Sequence, residues 1–135
     1  MTWPDLAIGG NVMIHDGAIV QPFATIGSNT ILRSGCHVSH HVTIGDHCFI
    51  APCAVLGGNV RVGARSFIGL NAIIRSGVST GEGCFVAAGA VVTKDTVPDE
   101  VYRGAPARRM NPQATATSKT RASAARNISL ARSTL

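Results

Sequence analysis

Residues 8–25 read IGGNVMIHDGAIVQPFAT, and the same pattern returns in IGSNTILRSGCHVSHHVT (26–43), IGDHCFIAPCAVLGGNVR (44–61), VGARSFIGLNAIIRSGVS (62–79) and TGEGCFVAAGAVVTKDTV (80–97). Each 18-residue segment consists of three hexapeptides. Every hexapeptide begins with Ile, Val or Leu, except the one at Thr80, and a small or β-branched residue follows four positions later. A repeat of this regularity predicts a solenoid.

Six residues suit one short strand and one corner, because alternation within the strand sends the large aliphatic residue and the small residue to the same side. Three such units make one triangular coil. Successive coils stack as parallel strands about 4.8 Å apart, so residues 18 positions apart lie above one another. The sequence therefore predicts an all-β chain folded as a parallel β-helix of about five triangular coils.

The residue before each large aliphatic residue is predicted to face outward, which gives three outer stripes. The first stripe is Met13, Ile31, Phe49, Phe67 and Phe85; the second is Ile19, His37, Val55, Ile73 and Val91; the third is Thr25, Thr43, Arg61, Ser79 and Val97. Two stripes are apolar, and contiguous apolar strips of this length are rare on monomeric proteins. Packing against a terminal helix would explain one apolar face. Two such faces favour a homotrimer.

Composition divides the chain into a β-helix domain over residues 1–110 and a basic, low-complexity tail over 111–135, which is predicted to be mostly disordered with a marginal helix over 122–130. The tail supplies four of the twelve basic residues, while residues 1–110 carry eight basic and seven acidic ones. The charge thus indicates no basic patch for nucleic acid on the folded part. No membrane span or signal peptide is evident, which predicts a cytoplasmic protein. The four cysteines have no metal-site or disulfide spacing, and three occupy the inward small position.

The repeat does not require a group of histidines in the second coil, where residues 37–41 read HVSHH. His40 is predicted to lie at a corner and to point outward, with Gly58 directly above it and Pro22 directly below. A small residue above the imidazole would leave room for a thin ligand. The alternative is a solvated surface histidine.

Six stretches resemble the hexapeptide-repeat acyltransferases, and within them the sialic acid O-acetyltransferase and amino-sugar N-acetyltransferase group. They are QPFATIG, SHHVTIGDHCFIAP, GGNVRVG, FIGLNAIIRSGV, AAGAVVTKD and VYRGAPARRM, between Gly17 and Arg109. The resemblance implies a left-handed β-helix, a homotrimer, and transfer of an acetyl group from acetyl-CoA, without a metal, to a hydroxyl or amine of a sugar or nucleotide-activated amino sugar. Such a transferase would serve polysaccharide biosynthesis.

The resemblance also implies roles for particular residues. His40 matches the general base, a role that suits imidazole at neutral pH. His41 stands where many members have Asp or Glu, and would orient His40. The positions that match the acetyl-CoA site between subunits are Gly58, Leu70, Ala88 and Gly104. Arg33 matches a position near the acceptor sugar. Phe49 matches a position that is histidine in some relatives. Arg108 and Arg109 follow the loop by which the chain leaves the repeat, where they would contact phosphates.

Three other interpretations stay open from sequence. Members of this group commonly carry an N-terminal Rossmann-like domain, so the chain is a stand-alone enzyme, a truncated one, or one whose partner supplies that domain. A metalloenzyme similar to gamma-class carbonic anhydrases would use histidines five residues apart, and no pair of histidines here has that spacing. A catalytically inactive β-helix that binds or acts as a scaffold is the third.

Overall fold

A computed structural model describes residues 5–110 and confirms the all-β parallel β-helix of about five coils. Three sheets form its sides. Sheet A contains β1 (Ala7–Ile8), β4 (Thr25–Ile26), β7 (Thr43–Ile44), β10 (Arg61–Val62) and β13 (Ser79–Thr80). Sheet B contains β2 (Met13–Ile14), β5 (Ile31–Leu32), β8 (Phe49–Ile50), β11 (Phe67–Ile68), β14 (Phe85–Val86), β16 (Val101–Arg103) and β17 (Arg108–Arg109). Sheet C contains β3 (Ile19–Val20), β6 (His37–Val38), β9 (Val55–Leu56), β12 (Ile73–Ile74) and β15 (Val91–Val92).

Between the sheets, four-residue turns make three corners, which we name after the sheets they join. In the second coil they are corner AB (27–30), corner BC (33–36) and corner CA (39–42). Neighbouring strands pair in parallel with partners 18 residues apart, as in Arg61↔Ser79 and Ile73↔Val91. The stacking expected from the repeat is therefore observed, and each corner becomes a column that runs along the helix axis.

The first residue of each hexapeptide points inward and builds a single core. The largest side chains in it are less than 2 % exposed: Ile26, Leu32, Ile44, Ile50, Leu56, Ile68 and Ile74. Thr80, the one exception in the repeat, keeps the inward position and is also buried beside Val62. The interior is thus aliphatic from coil to coil, which is the main source of stability in a fold without helices among residues 5–110.

Corner AB is the most tightly stacked column. A Cβ atom on Gly45 would lie 2.6 Å from the backbone nitrogen of Ala64 in the next coil, so only glycine fits there. From the second coil onward the inward small residues of this corner are polar, and they donate to carbonyl oxygens of the next coil. The Thr30 hydroxyl reaches the Gly45 oxygen at 3.0 Å, and the Cys48 thiol reaches the Gly63 oxygen at 3.2 Å. The inward cysteines therefore pack as small residues, and some of them also donate hydrogen bonds.

Each corner contains one residue in the left-handed backbone conformation. From residue 11 to residue 89, every sixth residue has a positive φ. Nine of these fourteen positions hold Asn or Gly, which adopt this conformation most readily. The five exceptions are Phe23, His41, His47, Cys53 and Arg65. A bulky residue at such a position costs backbone energy, so each of these five side chains is a candidate for a contact that offsets the cost.

The two apolar outer stripes differ in exposure. On sheet B, Phe49, Phe67 and Phe85 stack with centroid distances of 5.1 and 4.9 Å, and Ile31 and Phe49 are buried. On sheet C, the outer residues Ile19, Val55 and Ile73 are 42 %, 37 % and 42 % exposed. Sheet C is therefore the apolar side that a single copy of the chain leaves open to water.

After the fifth coil, the chain adds β16 and β17 to the end of sheet B, with a cis peptide bond between Ala105 and Pro106. Within residues 5–110, no helix has the length and apolar character needed to cross a membrane. The predictions made for residues 111–135 lie outside the described residues.

Candidate functional site

The two neighbouring histidines lie at corner CA of the second coil, and both are exposed. The backbone here is held by the coils on either side. The His40 N–H donates to Gln21 Oε1 at 3.1 Å, the His41 N–H donates to the Pro22 oxygen at 3.2 Å, and the Asn59 N–H donates to the His40 oxygen at 3.0 Å. The corner is consequently a fixed platform for two side chains that the core does not use.

The two imidazoles contact each other directly. His40 Nδ1 lies 3.1 Å from His41 Nδ1, and the rings are nearly perpendicular, at 84°. At this distance one Nδ1 carries a proton and donates a hydrogen bond, and the other Nδ1 accepts that bond with its lone pair. When His40 Nδ1 is the donor, the lone pair of His40 is on Nε2 and is free to take a proton from another molecule. The contact therefore has the geometry of an orienting partner and a base.

Gly58 lies above His40, as expected from the repeat, but the space above the imidazole is not empty. A Cβ atom on Gly58 would lie 2.5 Å from His40 Nε2 and 2.6 Å from its Cε1. The missing side chain of Gly58 therefore makes room for the His40 ring itself. This use of Gly58 was not predicted from the sequence, which suggested only room for a ligand.

A third ring completes the group. Phe23, in the coil below, stacks on His41 with a centroid distance of 5.0 Å and an interplanar angle of 22°. Phe23 was not among the site residues predicted from sequence, although a signal was present. Phe23 and His41 hold adjacent left-handed positions of corner CA, where Asn or Gly is usual.

The remaining predicted cofactor residues lie at a different corner. Leu70 and Ala88 are exposed residues of corner BC, in the fourth and fifth coils. Gly104 is exposed near the top of the same column, where its oxygen accepts from the Val91 N–H at 2.9 Å. Corner BC and corner CA are opposite edges of sheet C. One copy of the chain thus brings His40, His41 and Gly58 together, and keeps Leu70, Ala88 and Gly104 apart from them.

Arg33 lies at corner BC of the second coil, at the same height as His40. Its guanidinium carbon lies 5.9 Å from the ring centroid of Phe49, within the range of a cation–π contact. Its Nε is buried and has no hydrogen-bond partner among residues 5–110. Phe49, in turn, is the first ring of the stacked aromatic column on sheet B. Arg108 and Arg109 are exposed in β17.

The cysteines are separate from this group. Burial raises the pKa of the Cys36 thiol to about 11, so it stays protonated at neutral pH. Cys53 is exposed at corner BC. Across residues 5–110, no three side chains of His, Cys, Asp or Glu come close enough to hold a metal ion within one copy.

Two family models match the chain. The model described as bacterial transferase hexapeptide (six repeats) matches residues 5–39 and 23–58, and the model described as hexapeptide repeat of succinyl-transferase matches residues 55–94. No curated protein sequence matches it.

Solved structures with the same fold include enzymes of sugar acetylation. A histidine-to-alanine variant of GDP-perosamine N-acetyl transferase from Caulobacter crescentus, in complex with CoA and GDP-perosamine, is 30 % identical over 82 % of this chain and 52 % of that one, with a TM-score of 0.81. The acetyltransferase domain of PglB from Neisseria gonorrhoeae, in complex with acetyl coenzyme A, is 29 % identical over 81 % of this chain and 56 % of that one, with a TM-score of 0.56. A maltose O-acetyltransferase from Clostridium difficile, 23 % identical over 79 % and 70 % of the two chains with a TM-score of 0.72, shares the fold. The chain spans about half the length of the first two proteins.

Proposed function

Because the chain belongs to the hexapeptide-repeat transferases, we propose that it moves an acetyl group from acetyl-CoA to a hydroxyl or amine of a sugar or nucleotide-activated amino sugar. The observation that carries the proposal is the contact between His40 Nδ1 and His41 Nδ1 at an exposed corner. The Caulobacter relative, solved with CoA and GDP-perosamine, supports the choice of donor and of acceptor class.

His40 acts as the general base. While His40 Nδ1–H donates a hydrogen bond to His41 Nδ1 and keeps its proton, His40 Nε2 takes the proton from the acceptor hydroxyl or amine. The acceptor oxygen or nitrogen attacks the thioester carbonyl carbon, and the tetrahedral intermediate then loses the sulfur of CoA. The imidazolium of His40 returns its proton to that sulfur, so the products are the acetylated acceptor and free CoA. A positioned base of this kind contributes roughly 10²–10⁴-fold to the rate.

The two corners on either side of sheet C explain why the enzyme is proposed to act as a homotrimer. When sheet C of each copy faces a threefold axis, its two edges meet in neighbouring copies, so corner CA of one copy lies against corner BC of the next. Burial of the exposed apolar side of sheet C favours this arrangement. It brings His40 and Gly58 of one copy to Arg33, Leu70 and Ala88 of its neighbour, which completes the site.

Corner BC offers a suitable path for the acetyl carrier. From Arg33 to Ala88 the column rises through three coils, or about 14 Å, which suits an extended arm better than a compact ligand. Ala88 and Gly104 are small, so they allow the acetyl carrier to approach the backbone closely. Arg33 lies at the His40 end of this path, where its cation would contact the acceptor.

The experiment is a transfer assay with acetyl-CoA and a panel of acceptors, read by the release of free CoA thiol. The panel contains nucleotide-activated amino sugars, the same amino sugars without the nucleotide, and neutral sugars. Treatment of the product with hydroxylamine separates O-acetyl esters, which it cleaves, from N-acetyl amides. The proposal requires thiol release that depends on an acceptor and is lost in His40→Gln. Binding of acetyl-CoA without turnover on any acceptor would instead identify an inactive binding protein.

A further inference from the structure

Phe23 occupies a position that does not suit it as a turn residue. Its φ is 65°, its side chain is 55 % exposed, and it lies where nine of the fourteen equivalent residues are Asn or Gly. Its backbone N–H donates to the Asp5 oxygen, a bond that any residue except proline would make. Neither the core nor the turn therefore accounts for a phenylalanine here.

What the phenylalanine ring does contact is His41. The two rings are near parallel, and His41 is the residue directly above Phe23 in corner CA. His41 in turn meets His40 through the contact between the Nδ1 atoms. Three side chains thus form one series, from Phe23 through His41 to His40, and the last member is the proposed base.

We propose that Phe23 is a positioning residue: its ring holds the His41 imidazole so that His41 Nδ1 accepts a hydrogen bond from His40 Nδ1–H. The effect of this positioning on catalysis rests on the proposed function. The positioning itself selects which nitrogen of His40 carries the proton. The neutral histidine side chain in solution favours the proton on Nε2, which would leave the lone pair of His40 on Nδ1, facing His41, and none for the acceptor.

The reason is geometric. An exposed imidazole rotates about two side-chain bonds, and its Nδ1 faces His40 in only part of that range. Stacking on Phe23 restricts the His41 ring plane, and the perpendicular arrangement with His40 then follows. Aromatic pairs of this kind bias a population by about two- to tenfold, so loss of the ring should change kcat by a similar factor.

The test uses Phe23→Asn, because asparagine is favoured in the left-handed conformation and removes the ring without adding backbone strain. Arg65→Asn is the matched control, since Arg65 holds an equivalent left-handed position at corner AB and pairs with Glu82, outside the series formed by Phe23, His41 and His40. Phe23→Tyr keeps the ring and should behave as the wild type.

The first measurement is the tautomer of His40, read from long-range ¹H–¹⁵N spectra of the histidine-labelled full chain, with His40→Gln to assign the signal. The wild type, Arg65→Asn and Phe23→Tyr should hold the proton on Nδ1, and Phe23→Asn should shift it to Nε2. The second is kcat, which should fall about two- to tenfold in Phe23→Asn with KM for acetyl-CoA unchanged.

Either an Nε2 proton on His40 in the wild type, or an unchanged tautomer in Phe23→Asn, would overturn the proposal. The spectra need no substrate, so failure of the transfer assay counts against the proposed function and leaves this test intact.

Discussion

The His40 imidazole occupies the space that a side chain at Gly58 would need, and its Nε2 is the atom closest to that missing side chain. Nε2 is also the atom proposed to take the proton of the acceptor. The proposed base is therefore held between two different neighbours. Its Nδ1 contacts His41 Nδ1, and Gly58 makes room for its ring by having no side chain.

Gly58→Ala should lower turnover about 10²-fold, because misplacement of a catalytic group by about 1 Å has an effect of that size. Gly58 does not have a positive φ, so alanine adds no backbone strain, and the exposed His40 ring can move aside. We expect the melting temperature to stay within a few degrees of the wild type. Steady-state transfer and thermal unfolding check both statements.

The control is Gly10→Ala, since a Cβ atom there meets no atom within 4 Å. It should leave turnover unchanged. Loss of acetyl-CoA affinity in Gly58→Ala with normal kcat would place Gly58 on the carrier path and not beside the base.

His40→Ala should lose roughly 10²–10⁴-fold in kcat while it keeps its fold and its affinity for acetyl-CoA, because the ring is exposed and contributes nothing to the core. His41→Gly should cost less, about tenfold, because this residue orients the base. Glycine is chosen there because His41 has a φ of 57°, which alanine would adopt with strain. Near-normal turnover in His40→Ala, or a loss explained by unfolding alone, would reject the assignment.

The wild type should be a trimer and Ile73→Asp a monomer, because the substitution places a charge between Val55 and Val91 on the exposed apolar side of sheet C. Light scattering during size-exclusion chromatography measures the change. The monomer should also lose acetyl-CoA binding, since the proposed site is shared between copies. Thr43→Asp, on the exposed polar side of sheet A, is the matched control and should remain trimeric. A trimeric Ile73→Asp would show that sheet C is not the interface.

The Cys36 thiol should resist iodoacetamide at pH 8 in the native protein, while the exposed Cys53 reacts, because burial raises the pKa of Cys36 from 9.0 to about 11. Mass spectrometry after digestion identifies the modified residue. In the unfolded chain this thiol loses its proton near pH 9, and in the folded chain only near pH 11. Ionisation of Cys36 in the unfolded chain therefore lowers the free energy of unfolding as the pH rises between these two values.

Urea unfolding of the wild type and of Cys36→Ala at pH 8, 9.5 and 11 tests the sign. The wild type should lose more stability over this range than the variant does. Equal losses in the two proteins would mean that Cys36 is not held in its neutral form by burial.

Much of the candidate site followed from periodicity. Because residues 18 apart stack, the sequence alone placed Gly58 above His40 at a corner, and the structure agrees. The same spacing puts Leu70 at a different corner from His40, a separation within one copy that the match to the acetyl-CoA site did not indicate. Phe23 was not predicted either, because the sequence does not show which side chain a phenylalanine at a corner contacts.

The amino-acid sequence by itself determined the β-helix, because every hexapeptide repeats the same local choice of a large and a small inward residue, and stacking turns that choice into a continuous core. It likewise determined which side chains the core does not need, among them His40 and His41. Only the tertiary structure decided how those side chains use their freedom. The orientations of the Phe23, His41 and His40 rings depend on contacts between three coils, and no local pattern encodes the direction in which an exposed ring turns.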